Sequence, residues 1–219
     1  MDHRPAKKPA PPRARNAEKT KADILLAARA EFAERGFEGA RVDAIAALAG
    51  ANKRLLYHYF GNKEELYRAV LLDAYREIRR GEHALSLDQY GPVDAMDRLV
   101  RFTFRHFLAN PWFPRLLGTE NIENARFLKT LPDIPALHSP LVGQVSAILE
   151  RGVEAGIFRR DVDPVQLYIS IAALGIFYVS NMATLSVIFA RDLSGIDMVQ
   201  EREAQAVQMV LDYLRTKPA

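Results

Sequence analysis

Residues Gly36–Leu66, GFEGARVDAIAALAGANKRLLYHYFGNKEEL, decide the fold because they read as two short helices joined by a tight turn. Val42, Ile45, Ala46 and Ala49 are apolar at i, i+3, i+4 and i+7, the spacing of one helical face. Gly50 then ends that helix, since a glycine just past the last periodic residue accepts the left-handed cap conformation. The turn Gly50-Ala51-Asn52 is short enough to hold a second helix at a steep angle, and Asn52 is placed to N-cap it. In the second helix, from Lys53 to Phe60, Leu56 and Phe60 are spaced to face a core. Lys53, Arg54, Leu55, Tyr57, His58 and Tyr59 then occupy the rest of a two-turn cylinder.

That much cationic and aromatic surface on so short a helix suits DNA. Lys and Arg neutralise phosphates, Tyr hydroxyls donate to phosphate oxygens, and a helix fits the major groove. Taken singly, Tyr57 and Tyr59 read equally well as packing residues. Upstream, residues 18–35 place Ile24, Leu25, Ala28 and Phe32 at helical spacing with Gly36 as the cap, which predicts a helix crossing behind the pair. Downstream, Asn62-Lys63-Glu64-Glu65 reads as the start of a fourth helix, with Asn62 as N-cap and both glutamates favoured by the helix dipole. Lys63 is the exception, a cation at a positive helix end. A nearby phosphate would offset it, whereas a merely solvated lysine there costs roughly a few tenths of a kcal/mol.

Ile45-Ala46, Ala49-Gly50-Ala51-Asn52, Leu56-Tyr57-His58-Tyr59-Phe60 and Lys63-Glu64-Glu65-Leu66 together resemble the TetR-type transcriptional regulators, whose first domain carries a pattern close to I-A-x-x-A-G-V-S-x-x-x-L-Y-x-H-F-x-x-K-E-x-L. Three positions depart from it. Arg41 stands where a Ser or Thr usually caps the first helix of the pair, Ala51 replaces the usual Val, and Arg54 replaces a common Gly. The two added cations bear on which operator is read, not on the fold. The resemblance implies that Lys63 holds the DNA backbone.

Composition bounds the remainder. The 219 residues are 49% hydrophobic, enough core for one large or two modest domains, and contain no cysteine, which removes disulfides, thiolate metal sites and cysteine nucleophiles and fits a cytoplasmic protein. The net charge of +3 is uneven: residues 1–80 carry 17 Lys and Arg against 11 Asp and Glu, so the excess lies in the DNA-reading half. Arg4, Lys7, Lys8, Arg13 and Arg15 stand among prolines without apolar periodicity, so residues 1–17 read as a disordered basic arm, either lying along phosphates or serving as a solubilising tail. No apolar stretch follows these charges, so they are not a secretory signal.

Residues 18–78 then form the DNA-binding domain, with its helix-turn-helix at 41–60, and residues 79–219 a helical effector-binding and dimerisation domain. Helices are predicted over Pro92–Ala109, Phe113–Leu128, Leu141–Ala155, Pro164–Ala190 and Met198–Leu214, with no alternating strand pattern, so the fold class is all-α. The stretch from Pro164 to Ala190 has no charged residue and is long enough to span a bilayer. Gln166, Ser170, Ser180, Asn181, Thr184 and Ser186 interrupt it, and no basic cluster flanks it, so no membrane is expected. A helix apolar on nearly every side is then buried between its own domain and a second copy of the chain. Residues 164–190 and 198–214 accordingly pair two protomers in a four-helix bundle.

The C-terminal half also resembles one branch of the same family, through Glu120-Asn121, Arg126-Phe127-Leu128-Lys129, Asp161-Val162-Asp163-Pro164 and Phe177 to Leu193. A pocket between bundle helices is the natural place for a small-molecule effector of unknown identity. Candidates are polar or aromatic residues on apolar faces: Phe102, Arg105, His106, Trp112, Glu120 and Asn121, then Asn124, Phe177, Tyr178, Asn181 and Met182. Each has a plainer reading, His106 as a satisfied core histidine, Glu120 and Arg105 as partners, and Asn181 as an amide bonding its symmetry mate.

No catalytic residue, metal site or cofactor is expected: Glu64/Glu65 and Glu120/Glu123 lack a nucleophile or glycine loop, and the five histidines are scattered. The sequence therefore reads as a dimeric transcriptional repressor, not an enzyme, released from a palindromic double-stranded operator by a small molecule. Lys53, Arg54, Leu55, Tyr57 and Tyr59 face the major groove or its flanking phosphates, with Leu55 placed for contact with a thymine methyl, and Arg41, Asn52, His58 and Lys63 brace the backbone. The alternatives are an effector-independent architectural DNA binder and an activator on the same fold.

Overall fold

The computed structural model describes residues 12–132 and 134–216, with side chains from Ala17 onward. Nine α-helices occur among the described residues: α1 Pro12–Gly39, α2 Val42–Leu48, α3 Lys53–Phe60, α4 Lys63–Ala84, α5 Pro92–Ala109, α6 Trp112–Ile122, α7 Ile134–Glu154, α8 Pro164–Ile188 and α9 Ile196–Leu214. No strand occurs among them beyond an isolated bridge between Phe158 and Arg215. The protein is all-α. It divides into two compact units, Met1–Val70 and Leu71–Ala219, and the boundary falls within α4.

In the first unit α1 packs on α2 and α3, as its periodicity predicts. Ile24, Ala28 and Phe32 of α1 are fully buried with Ile45 of α2, Leu56 of α3 and Leu66 of α4, whereas Leu25 is only half-buried because Ala27 turns inward in its place. Phe32, Phe37 and Tyr67 form an aromatic cluster with edge-on contacts at 4.9 and 5.3 Å between centroids. Gly36, at φ 66°, breaks the α1 helix as expected, but one further turn follows before Ala40. The first eleven residues of the expected basic arm, 1–17, lie outside the described residues. From Pro12 the chain is already helical, since proline opens a helix without losing a hydrogen bond and Arg-Ala-Arg favour its continuation.

In the second unit α5 is the hub, with α7, α8 and α9 packed around it. Leu99 and Val100 of α5 meet Val145 and Ile148 of α7, Leu167 and Ile171 of α8, and Val207, Val210 and Leu214 of α9 in one buried cluster. Gly175 lets α8 approach α5 closely, because a Cβ there would press on the Phe107 ring at 3.1 Å.

Two helix boundaries in the second unit differ by several residues from the sequence expectation. α6 stops at Ile122 instead of Leu128, because Asn124 and Ala125 adopt left-handed backbone at φ 54° and 57°. The buried Glu120 holds that loop, its carboxylate accepting the Leu128 N–H at 2.9 Å. α7 begins at Ile134, not Leu141, and carries Pro140 inside it at the cost of the helical bond to the Ala136 carbonyl. α8 starts as predicted, where the Asp163 side chain accepts the Gln166 N–H at 2.8 Å and Pro164 fills the first position.

Candidate nucleic-acid interface

α2 and α3 are held by caps that the sequence spells out. Gly50 sits at φ 60°, and the Asn52 carboxamide oxygen accepts the Leu55 N–H at 2.8 Å. Arg41, occupying the N-cap of α2, provides no side-chain cap; instead its own N–H donates to the Glu31 carboxylate of α1 at 3.1 Å. Glu31 thus ties the start of α2 to α1 from ten residues upstream, a role no local pattern signals.

With Leu56 and Phe60 buried, α3 leaves Lys53, Arg54, Tyr57 and His58 exposed and Leu55 and Tyr59 half-buried at the edges. The His58 and Tyr59 rings pack at 5.4 Å. Asn52 and Arg41 are exposed on the same reading pair. Lys53 is bonded to Asp43 of α2 at 3.1 Å, and that hydrogen bond raises its pKa, so the ammonium stays charged. Arg54 makes no hydrogen bond or ion pair among the described residues and presents its guanidinium to solvent. Lys63 is folded back: its ammonium donates to the Glu38 carbonyl at 3.3 Å and lies 4.8 Å from the Phe37 ring centre. Asn62 caps α4 through the Glu65 N–H at 2.9 Å, as predicted. One helix face therefore exposes Lys53, Arg54, Tyr57 and His58 together, with Lys53 engaged by Asp43 and Arg54 open to solvent.

The residues expected to line an effector pocket divide among different places. Phe102, Arg105 and His106 share a cleft of ≈800 Å³ along α5. Arg105 is occupied there, donating through Nε and Nη2 to Glu203 of α9 at 2.9 and 2.7 Å. Burial disfavours the charged form of Glu203, but the bonds from Arg105 and Arg101 outweigh it and hold the carboxyl below its ordinary value. Burial pushes the His106 imidazole down, so the ring is neutral near pH 7, and its Nε2 is buried without a hydrogen bond. Trp112 donates to Asn110 at 3.1 Å, and the Tyr178 hydroxyl donates to the Leu193 carbonyl at 2.7 Å. Met182 borders a separate cleft of ≈640 Å³ between α6 and α8. Asn121, Asn124 and Phe177 are exposed, and Asn181 donates to the Phe177 carbonyl one turn back at 2.8 Å. One N–H of its amide is therefore taken up within its own helix.

One constellation was not anticipated. Arg79 and Glu82 of α4 meet Tyr168 of α8: Arg79 Nη2 donates to the tyrosine oxygen at 2.7 Å, and the hydroxyl donates to Glu82 at 3.0 Å. The only sequence signal was the i, i+3 spacing of Arg79 and Glu82.

Comparison with known proteins assigns the two halves separately. The family model of bacterial regulatory proteins, tetR family, matches residues 24–70, and the model of the tetracyclin repressor-like C-terminal domain matches residues 92–210. The chain is 37% identical over 182 residues to the HTH-type transcriptional repressor NicS of Pseudomonas putida, covering 83% of this chain and 86% of that one. It is 32% identical over 205 residues to the HTH-type transcriptional repressor SCO4008 of Streptomyces coelicolor, covering 91% and 98%. Among solved structures, the transcriptional regulator SCO4942 of Streptomyces coelicolor superposes with a TM-score of 0.64 at 27% identity, over 89% of this chain and 98% of that one.

Proposed function

Because the chain belongs to the TetR family of bacterial regulatory proteins and is a DNA-binding transcriptional repressor, as family models over both halves and repressor relatives establish, we propose that it works as a cytoplasmic homodimer on a palindromic operator and is released by a small molecule. The carrying observation is α3, whose buried Leu56 and Phe60 leave Lys53, Arg54, Tyr57 and His58 open to solvent. In this reading Arg54 and Leu55 meet base edges while Lys53, Tyr57 and Tyr59 reach the groove or its flanking phosphates. Arg41, Asn52, His58 and Lys63 hold the backbone, with Lys63 exchanging the Glu38 carbonyl for a phosphate oxygen.

Pairing through α8 and α9 is supported by what a single chain leaves bare. Phe177 and Val187 of α8 are 59% and 82% exposed, and Met209 and Tyr213 of α9 are exposed as well. α8 has the length and hydropathy of a membrane span, but a second copy covering this face satisfies the same apolar surface. Two reading helices fixed by one such interface reach half-sites about one helical turn apart. An effector in the C-terminal unit then shifts α4 and changes that separation.

Selection of DNA from a random pool by the purified protein, followed by titration of the winner at two salt concentrations, tests this. The expected result is a palindrome bound by two protomers with a steep salt slope; recovery of no preferred sequence defeats the operator reading.

A further inference from the structure

We propose that the cleft between α4 and α7 binds a small amphipathic carboxylate, its anionic head on Arg76, Arg79 and Arg80 and its apolar body against Leu137 and Pro140. The proposal rests on the effector-responsive reading above and names the effector's chemistry.

Arg76, Arg79 and Arg80 lie at i, i+3 and i+4 and so share one face of α4, the face that borders this cleft of ≈480 Å³. That volume lies within the range of small-ligand pockets, about 300–1,000 Å³. Glu82 is the only carboxylate among the described lining residues, and it already faces Arg79 and Tyr168. Arg76 and Arg80 are exposed guanidinium groups with no hydrogen bond or ion pair among the described residues. The cleft thus holds a positive excess that the protein does not neutralise.

Arg79 supplies the second, independent observation. Its side chain is nine-tenths buried, and although Nη2 reaches Tyr168 and Nη1 stands 3.0 Å from Glu82, Nε has no hydrogen-bond partner. A buried donor left without an acceptor is a group waiting for one. The planar guanidinium fork fits a carboxylate in two parallel bonds. The opposite wall is apolar: Leu137 is half-buried, Pro140 is exposed, and Pro140 has no N–H to give the Ala136 carbonyl, which leaves an extra acceptor on that wall. The site therefore suits one negative charge on a hydrophobic body. A dianionic phosphate meets more repulsion from Glu82 than a monoanion does. An acid that engages Arg79 competes directly with Glu82 and Tyr168, the contact joining α4 to α8, and so acts on the helix that starts at Lys63.

Isothermal titration calorimetry on the full-length protein with octanoate, octanamide and octyl phosphate tests the assignment. Octanoate should bind about tenfold or more tighter than the neutral amide and tighter than the phosphate, and Arg76→Gln/Arg80→Gln should lose about tenfold of octanoate affinity with an unchanged circular-dichroism melt. Equal binding of acid and amide, a preference for octyl phosphate, undiminished affinity in the double variant, or no binding of any probe overturns it. Operator titration separates the two failures. A protein that selects no operator defeats the regulator reading, whereas one that holds its operator but fails the octanoate test defeats the cleft alone.

Discussion

Lys53 and Asp43 close a 3.1 Å salt bridge across the helix-turn-helix, from the first turn of α3 to the first turn of α2. Both side chains are about half exposed or more, so the bridge adds little to stability, yet it engages a cation of the proposed DNA face. A phosphate approaching Lys53 must compete with Asp43. Asp43→Asn is therefore expected to raise operator affinity severalfold and to leave the melting temperature nearly unchanged. Lys53→Ala should weaken binding to all sequences alike and flatten the slope of log affinity against log salt by about one, which fluorescence anisotropy at several salt concentrations measures.

Asn52 is the only side-chain cap on the reading pair, through its 2.8 Å bond to the Leu55 N–H, while Arg41 contributes none to α2. Asn52→Ala should cost about 1 kcal/mol of unfolding free energy in urea denaturation. Asn52→Asp restores an acceptor and should recover the stability, but it places a negative charge beside phosphates. The pair of variants separates capping from DNA contact, because Asp recovers the first and not the second.

How much of this was legible in the sequence follows from the range of each determinant. Gly50, Asn52, Leu56 and Phe60 act within a turn or two of themselves, and their spacing predicted both helices of the reading pair and their caps. The end of α6 was not legible, because Asn124 and Ala125 are left-handed only where Glu120 reaches forward to Leu128. Nor was the Arg79–Glu82–Tyr168 contact, whose tyrosine is 86 residues from Glu82 and sits in an uncharged stretch with no local mark of a polar partner. Arg105 borders the cleft along α5 as its reading expected, but its i, i+4 neighbourhood gives no sign of the bond to Glu203 at 98 residues' distance.

Two glycines with similar local clashes should respond differently to alanine. A Cβ on Gly81 of α4 would overlap the far edge of the Phe102 ring, and one on Gly152 of α7 would overlap the Phe158 ring nearer its root. Phe102 is only half-buried and borders the open cleft along α5, so its ring can swing aside, and the helix gains up to about 1 kcal/mol from replacing glycine. Phe158 is 2% exposed in the main core and has nowhere to go. Gly81→Ala should be close to neutral in thermal unfolding, while Gly152→Ala should cost about 1–3 kcal/mol.

Glu82 gives stability a dependence on pH. Burial drives its carboxyl up to about 7 from an ordinary 4.5, against the opposing pull of Arg79 and the Tyr168 hydrogen bond. Between those two values the folded chain holds a proton at Glu82 that the unfolded chain has released, so the group's contribution to stability declines as pH rises through this window and is lost above about 7. Glu82→Gln keeps the shape and an acceptor for Tyr168 without the ionisation. Urea midpoints taken across the same pH range should fall more steeply for the wild type than for the glutamine variant, with the two curves parallel above pH 8. Parallel curves through the whole range would mean that Glu82 is ionised throughout and that Arg79 outweighs its burial.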